Sequence, residues 1–261
     1  MGKYHMTQNK FLKSISKLGL IPKNGDNSKA IKDGKSVVFY SMGMVGAITL
    51  FLDFKKHYEE FKGDKGREIV AKYKDVISGK EKVDEATYLR IREQVDQILS
   101  VQESDNFRSF LGEGVYLNLN NVNEKIDDRN FNFANAWTTK VVKPEDINVL
   151  VLKNKKDGTM LSSRYDVINY MMSKTPLESI TKIGINGDLK DYITKYYERY
   201  ASEIKKMGEE YSLEEIGIRE FVDLRDKGKF KADKERQFIR HREIDEKEEV
   251  IEEDGQAPDL K

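Results

Sequence analysis

The chain has 261 residues, of which 35% are charged and 38% are hydrophobic, and its formal net charge at pH 7 is zero. This length suits one large domain or two small ones, and the balanced charge indicates neither a nucleic acid nor a membrane as partner. The absence of cysteine excludes disulfides, thiolate zinc sites and a cysteine nucleophile. Because the first residues contain no apolar signal core, we expect a cytoplasmic protein.

The chain is predicted to begin with a short strand that leads into a helix. Residues 3–6 (KYHM) have strand character, and Leu12, Ile15 and Leu18 fall on one face of the helix that follows. Gly19 is a natural residue to end that helix, and Pro22 prevents its continuation.

The most apolar stretch, residues 36–54, is interpreted as a strand followed by a buried helix. SVVFYS (36–41) is rich in β-branched and aromatic residues, and the turn-like SMG after it argues against a membrane span. Residues 55–106 are dense in Lys and Glu, with apolar residues at helical spacing. This pattern predicts two helices that form an insertion or a lid.

Strand character returns at GVYLNL (114–119) and at NVLVLKN (148–154). Helices are predicted over residues 162–174, again from Pro176, and over the tyrosine-rich residues 189–227. Strands and helices follow one another without βαβ regularity. We therefore predict an α+β fold rather than a doubly wound parallel sheet.

Two regions are expected on this basis. Residues 1–230 would form one domain that carries the helical insertion at about 55–106 and a helical C-terminal region. Residues 231–261 are dense in charge, first basic and then acidic. That composition predicts an exposed helix that frays into a flexible tail.

The sequence contains three histidines, His5, His57 and His241. His57 lies in the charged helical region and His241 in the charged tail, so we expect both to be solvated and predict no metal site. His5 is distinguished by its neighbours, a tyrosine before it and a hydroxyl residue two positions later.

Short motifs around His5 and downstream of it resemble those of a known family. They are Tyr4-His5-Met6-Thr7, Ser14-Ile15 with Gly19-Leu20-Ile21-Pro22-Lys23, and Phe39-Tyr40-Ser41. Together they resemble the N-terminal half of ADP-ribosyltransferases of the diphtheria-toxin and poly(ADP-ribose) polymerase type. The resemblance implies a split β-sheet core that binds NAD as a substrate.

The resemblance also implies roles for individual residues. His5 would bond the ribose hydroxyls of the adenosine half of NAD, and Thr7 would bond a second ribose or support the histidine. Tyr40 would stack on the nicotinamide, with Ser41 as its supporting hydroxyl. A second match, Phe110-Leu111-Gly112-Glu113-Gly114-Val115-Tyr116-Leu117, would instead make Tyr116 the stacking ring, and both alternatives stay open.

A glutamate is required to stabilise the oxocarbenium-like ribose that forms when nicotinamide leaves. In the family this acid lies on or beside a late strand. Glu113, just before GVYLNL, is the first choice, and Glu145, just before the later strand, is the second. Glu178 and Glu220 lie in helical contexts further along the chain.

The expected function is therefore NAD-dependent ADP-ribosyl transfer to an unknown protein or nucleic-acid acceptor, or NAD hydrolysis. An intracellular modifying enzyme and a toxin both fit. One alternative is a non-catalytic nucleotide-binding or protein-interaction module with the same fold. Another is an RNA 2′-phosphotransferase-like enzyme, but such enzymes depend on a set of arginines, and none precedes Arg67 here.

Overall fold

The structure, a computed structural model, describes residues 2–22, 36–103, 114–122, 125–126, 135–182, 185 and 187–230. These residues form eight strands and ten α-helices. The strands are β1 (Lys3–Gln8), β2 (Val38–Met42), β3 (Gly114–Leu119), β4 (Lys125–Ile126), β5 (Asn135–Thr138), β6 (Ile147–Asn154), β7 (Met160–Leu161) and β8 (Tyr211–Gly217). The helices are α1 (Leu12–Leu18), α2 (Gly43–Lys62), α3 (Asp64–Lys72), α4 (Lys74–Ile77), α5 (Glu85–Glu103), α6 (Arg164–Ser173), α7 (Leu177–Thr181), α8 (Gly187–Arg199), α9 (Ala201–Glu210) and α10 (Ile218–Asp226).

The strands form one sheet in the order β4-β5-β2-β1-β3-β6-β7, with β8 also paired to β6. Every pairing among the described strands is antiparallel. β8 pairs with β6 at seven positions, so β3 and β7 share the other edge of β6. The α+β class predicted from the sequence is confirmed.

Pairing is interrupted between β1 and β2. β1 pairs with β3 at five positions but with β2 at only two, Lys3↔Met42 and Tyr4↔Ser41. Beyond Tyr4, none of the described strands pairs with the edge of β1 that faces β2. We call the region between residues 5–8 and residues 38–40 the β1–β2 opening. An unpaired strand edge leaves backbone N–H and C=O groups for other partners.

One face of the sheet, which we call the α2 face, is covered by α2 and the C-terminal helices. Tyr4, Tyr116 and Leu150 pack there in the same cluster as Ile48 and Phe51 of α2. Fully burying an aliphatic or aromatic side chain of this size stabilises the fold by about 1.5–3 kcal/mol. This cluster therefore fixes α2 against the strands on either side of His5.

The other face, which we call the α1 face, is covered by α1 and α10. Leu117 and Val149 are cross-strand neighbours there, in one buried cluster with Leu12, Ile15 and Phe221. Side chains alternate between the two faces along each strand, so His5 projects to the α1 face while Tyr4 projects to the α2 face.

Gly19 ends α1 as the sequence predicted. Its φ is 78°, a left-handed conformation that costs glycine little, and a Cβ built there would lie 2.2 Å from the Val142 carbonyl oxygen. The chain then pairs back, because the Leu20 amide donates to Val142 O at 2.9 Å and the Val142 amide donates to Leu20 O at 3.1 Å. Glycine is required here by both its conformation and this close approach.

The predicted helical insertion is helical, although its helices are divided differently. α2 continues to Lys62, and three further helices, α3, α4 and α5, follow before β3. The sequence predicted two helices in this region. Val76, Ile91 and Val95 form a separate small cluster between α4 and α5. The insertion therefore has its own apolar contacts in addition to those with α2.

One element was wrongly predicted from the sequence. Residues 189–227 were expected to be helical throughout, yet they contain β8 between α9 and α10. Two adjacent glutamates, Glu214 and Glu215, disfavour a strand locally, but seven pairings with the buried strand β6 outweigh that preference. The predicted tail, residues 231–261, lies outside the described residues. None of the described helices has the length and apolar content that crossing a bilayer requires.

Candidate functional site

His5 lies at the point where the pairing of β1 with β2 stops. Its ring Nδ1 is 2.7 Å from the backbone oxygen of Phe39 in β2. Continuing the register past Tyr4↔Ser41 places His5 beside Tyr40. One hydrogen bond from the imidazole therefore connects β1 to β2 at the point where backbone hydrogen bonds no longer do so.

The bond to Phe39 determines the protonation of the ring. A carbonyl oxygen only accepts hydrogen bonds, so Nδ1 carries the proton and Nε2 is the acceptor of the neutral ring. Burial lowers the pKa of His5, the Phe39 carbonyl opposes this, and the positive charge of Arg164 lowers the pKa further. The neutral form is favoured, and within the described chain no hydrogen bond uses Nε2.

Tyr40 shares the α1 face with His5, but its ring lies inside the core. It is 2% exposed and packs in the cluster that contains Leu12 and Ile15 of α1. Ser41 is also buried and lies opposite Tyr4, on the α2 face. The structure thus brings Tyr40 next to His5, while Ser41 points to the other side of the sheet.

Tyr116 is buried on the α2 face. Its side chain is 1% exposed, and its hydroxyl donates to the Ala47 carbonyl oxygen at 3.4 Å. Burial raises the pKa of Tyr116 far above its usual range, and the Arg164 charge partly opposes the shift. Tyr116 and Tyr40 therefore lie on opposite faces of the sheet, and the structure does not bring them together.

Thr7 lies at the far end of the β1–β2 opening, where β1 contacts a buried arginine. The Thr7 carbonyl oxygen accepts a hydrogen bond of 2.6 Å from Nη2 of Arg164, the first residue of α6. Arg164 is 0% exposed, and burial lowers its pKa to about 10. The local sequence around Arg164 does not indicate a site residue, because its position beside β1 depends on a contact between residues 157 positions apart.

The predicted acids that lie within the described residues are not brought to His5. Glu113 lies outside the described residues, although the next residue, Gly114, pairs with Gln8 at the end of β1. Glu145 is exposed in a 3-10 turn before β6, and its carboxylate lies 3.9 Å from the Arg219 guanidinium. Glu178 and Glu220 are exposed on α7 and α10, as their helical contexts predicted.

Within the described strands, the only carboxylates are Glu214 and Glu215 of β8. Glu215 accepts one hydrogen bond of 2.8 Å from the Asn118 amide and another of 2.9 Å from the Asn148 amide. The pKa of nearby Tyr4 is raised by burial and, next, by the charge of Glu215. The sequence therefore did not indicate Glu215, a carboxylate that two hydrogen bonds orient on a late strand. The signal for its strand was a pair of glycines, at 208 and 217.

Glu215 and His5 lie on opposite faces of the sheet. Glu215 pairs with Leu150, which faces α2, and three strand steps separate β8 from β1. The described chain also contains no group of three or more His, Asp or Glu side chains that could hold a metal ion.

A half-buried aromatic pair lies beside the β1–β2 opening, on the α2 face and therefore on the side of the sheet opposite the His5 ring. Phe39 and Trp137 are cross-strand partners on β2 and β5. Aromatic side chains in such pairs lie close enough to present a joint surface. Comparison of the chain with protein-family models, with curated proteins and with solved structures gave no match.

Proposed function

We propose that the chain binds NAD at the β1–β2 opening and transfers its ADP-ribose to a protein or nucleic-acid acceptor, or to water. One observation carries the proposal: the two strands that bear the family-like motifs are neighbours, and His5 lies between them where their pairing stops. The split-sheet core implied by the resemblance would correspond to this interruption. The assignment of the ADP-ribosyltransferase fold is part of the proposal.

The chemistry of His5 suits a ribose. A neutral imidazole whose Nδ1–H is bound to Phe39 O presents Nε2 as an acceptor, and a ribose hydroxyl is a donor. The strand and the Phe39 bond hold the ring in one orientation, so little conformational entropy would be lost when the ligand binds.

Arg164 would contribute charge rather than direct contact. Its guanidinium is buried beside Thr7 and close enough to His5 to lower the pKa of the imidazole. A buried positive charge attracts the diphosphate of a dinucleotide more strongly than an exposed one, because less solvent screens it. The anionic half of NAD would therefore lie toward the Thr7 end of the opening.

The stacking surface is assigned to Phe39 and Trp137, which lie on the α2 face, so the nicotinamide would reach them through the gap between β1 and β2. Tyr40 and Tyr116 are each almost fully buried, which leaves no open ring face for a ligand, whereas Phe39 and Trp137 are half-buried. Tyr40 would instead support β2 from within the core. A planar nicotinamide gains apolar contact from such a pair of rings.

In the reaction, the bond between nicotinamide nitrogen and ribose C1′ breaks, and its electron pair stays on nicotinamide. The acceptor oxygen or nitrogen forms a bond to C1′ and loses a proton to solvent or to a base. A carboxylate would stabilise the cationic ribose meanwhile. Glu113 and Glu145 are the residues to test, because Glu215 lies on the face of the sheet opposite His5 and already bonds two amides.

Calorimetry with NAD and an assay for released nicotinamide test the proposal. His5→Asn is the sharpest variant, because the Asn amide nitrogen is as far from Cβ, in bonds, as Nδ1. It can therefore donate to Phe39 O but has no atom in place of Nε2. We expect NAD to bind at least about tenfold more weakly with unchanged folding. His57→Ala, an exposed histidine bonded to Asp53 O on its own helix, is the control and should bind normally.

The two candidate acids are separated by Glu113→Gln and Glu145→Gln, and Glu215→Gln, on the face of the sheet opposite His5, is the control that should retain nicotinamide release. The catalytic acid should lose nicotinamide release while NAD binding is retained. No binding of NAD to the unmodified chain, or equal binding by His5→Asn, would reject the proposal.

A non-catalytic nucleotide-binding module is the second candidate. It is favoured by the two amides that already occupy the Glu215 carboxylate and by the burial of both candidate tyrosines. In that case NAD or a related nucleotide binds, His5→Asn weakens binding, and no nicotinamide is released with or without added acceptors.

A further inference from the structure

The outer side of α1 exposes apolar side chains. Phe11, just before α1, is 46% exposed and Leu18, its last residue, is 59% exposed. Residues seven apart lie on the same side of a helix, so the two side chains form one stripe. Leu12 and Ile15 are buried on the side that faces the sheet, whereas Leu18, which the sequence placed on the same face, is exposed. Exposed apolar side chains in a contiguous group mark interaction surfaces.

The stripe continues onto the neighbouring chain segment. Leu20 and Val142 form an antiparallel bridge, which places Ile21 opposite Val141. Ile21 is 49% exposed and Val141 is 50% exposed. We call Phe11, Leu18, Ile21 and Val141 the α1 patch.

Lysines surround the α1 patch. The exposed ones, on the two segments that form it, are Lys10, Lys13, Lys17, Lys140 and Lys143. Lys10 lies over the Phe11 ring at 5.1 Å. The nearby acids are already engaged, since Asp226 is 3.0 Å from Lys13 and Glu145 is 3.9 Å from Arg219. The patch therefore suits an occupant that is both apolar and acidic.

We propose that residues 243–254 of the same chain dock on the α1 patch. This segment, EIDEKEEVIEED, contains eight acidic residues and one lysine. Its apolar residues are Ile244, Val250 and Ile251, and Ile244 and Ile251 have the same spacing of seven as Phe11 and Leu18. The segment thus complements the patch in both charge and apolar content.

The last described residue, Phe230, lies on the same face of the sheet as α1, so the segment that follows it starts close to the α1 patch. Phe230 is buried in the α1-face cluster, with its ring centroid 4.8 Å from that of Phe221. α10 runs alongside α1, since Arg219 donates to Ser16 O and Arg225 to Asn9 O, each at 3.2 Å. From Phe230, 13 residues lead to Glu243. Extended, they span about 45 Å, and a tether of this kind gives a millimolar effective concentration.

A second copy of the chain is a poorer occupant. A symmetric dimer through the α1 patch would set its lysines against the same lysines of the partner, which is repulsive. The acidic segment removes that repulsion and is supplied by the chain itself. We therefore assign the α1 patch to the tail.

Distance measurement by spin labelling tests this assignment in the full chain. The absence of cysteine allows a single pair, Thr139→Cys beside the patch and Gln256→Cys after the acidic segment. We expect one narrow, short-distance population. Leu18→Asp should remove it, whereas Leu89→Asp should not, because Leu89 is equally exposed (58%) but lies on α5. Raising salt from 0.1 to 1 M should reduce the population, since screening then acts within about 3 Å.

Three outcomes would overturn the assignment. One is a broad distance distribution in the unmodified background. Another is a short distance that persists with Leu18→Asp. The third is loss of the short distance when labelled chains are diluted with unlabelled ones, which would place the segment on a second copy. Circular dichroism of each variant verifies that the chain remains folded.

Discussion

Replacing Gly114 by alanine probes the buried contact that holds the end of β1. A Cβ at position 114 would lie 1.9 Å from Nη2, 2.0 Å from Nε and 2.1 Å from Cζ of Arg164. All three distances are far below van der Waals contact. The guanidinium must therefore move if any side chain replaces the hydrogen of Gly114.

The guanidinium has little freedom to move. Arg164 is 0% exposed, and Nη2 donates to Thr7 O at 2.6 Å. Overpacking of a core costs about 1–3 kcal/mol. Losing a hydrogen bond from a charged donor costs about 1.5–3 kcal/mol. We expect Gly114→Ala to destabilise the fold by about 3–5 kcal/mol, which lowers Tm by about 6–20 °C for a domain of this size.

Thermal unfolding followed by circular dichroism measures this effect. Gly217→Ala is the matched control, because Gly217 is likewise the terminal residue of a strand, has an ordinary φ of −53° and has nothing within 4 Å of a built Cβ. The double variant Gly114→Ala/Arg164→Met should be less destabilised than the sum of the two single variants, since removing the guanidinium makes room for the methyl group. A Tm for Gly114→Ala within about 2 °C of the control, or strict additivity, would refute the argument.

Three further predictions concern His5, Ser163 and Tyr116. The folded-state pKa of His5 lies below its ordinary value of 6.5, so the unfolded chain binds the proton first and the free energy of unfolding should fall as pH drops below about 6.5. In urea titrations at several pH values, His5→Gln should remove this contribution to the pH dependence of stability. Ser163→Ala should cost about 1–2 kcal/mol in the same assay, because the hydroxyl caps α6 by accepting from the Asp166 amide at 3.1 Å. Tyr116→Phe should cost less than about 1 kcal/mol, since its bond to Ala47 O is long at 3.4 Å, and a larger loss would mean that the hydroxyl has a stronger partner.

The strands on which the site depends were accessible from the sequence. Residues 36–41 and 114–119 have β-branched and aromatic side chains between turn residues, and they coincide with β2 and β3 to within two residues. Gly19 ended α1 as expected because its left-handed conformation has a local signature. At these positions the local sequence preference and the tertiary contacts favour the same backbone structure.

The remaining features were decided by contacts that are distant in sequence. β8 is a strand because β6 is available to pair with it, and its two glutamates gave the opposite local signal. Arg164 reaches β1 across 157 residues, and no periodicity near Arg164 indicates this. The face on which a side chain lies follows from register, which is why Tyr40 and Tyr116 proved to be separated by the sheet.

The two proposals meet at α1 but can fail separately. The buried side of α1 packs in one cluster with Tyr40 and Leu117, close to His5, whereas its outer side carries the α1 patch. A substitution at exposed Leu18 leaves the core contacts of α1 intact, so Leu18→Asp should change the tail distance without weakening NAD binding. Conversely, His5→Asn alters a side chain between two strands and should leave the tail distance unchanged. If either substitution changed both quantities, α1 would couple the opening to its outer surface, and by reciprocity NAD would then shift the position of the tail.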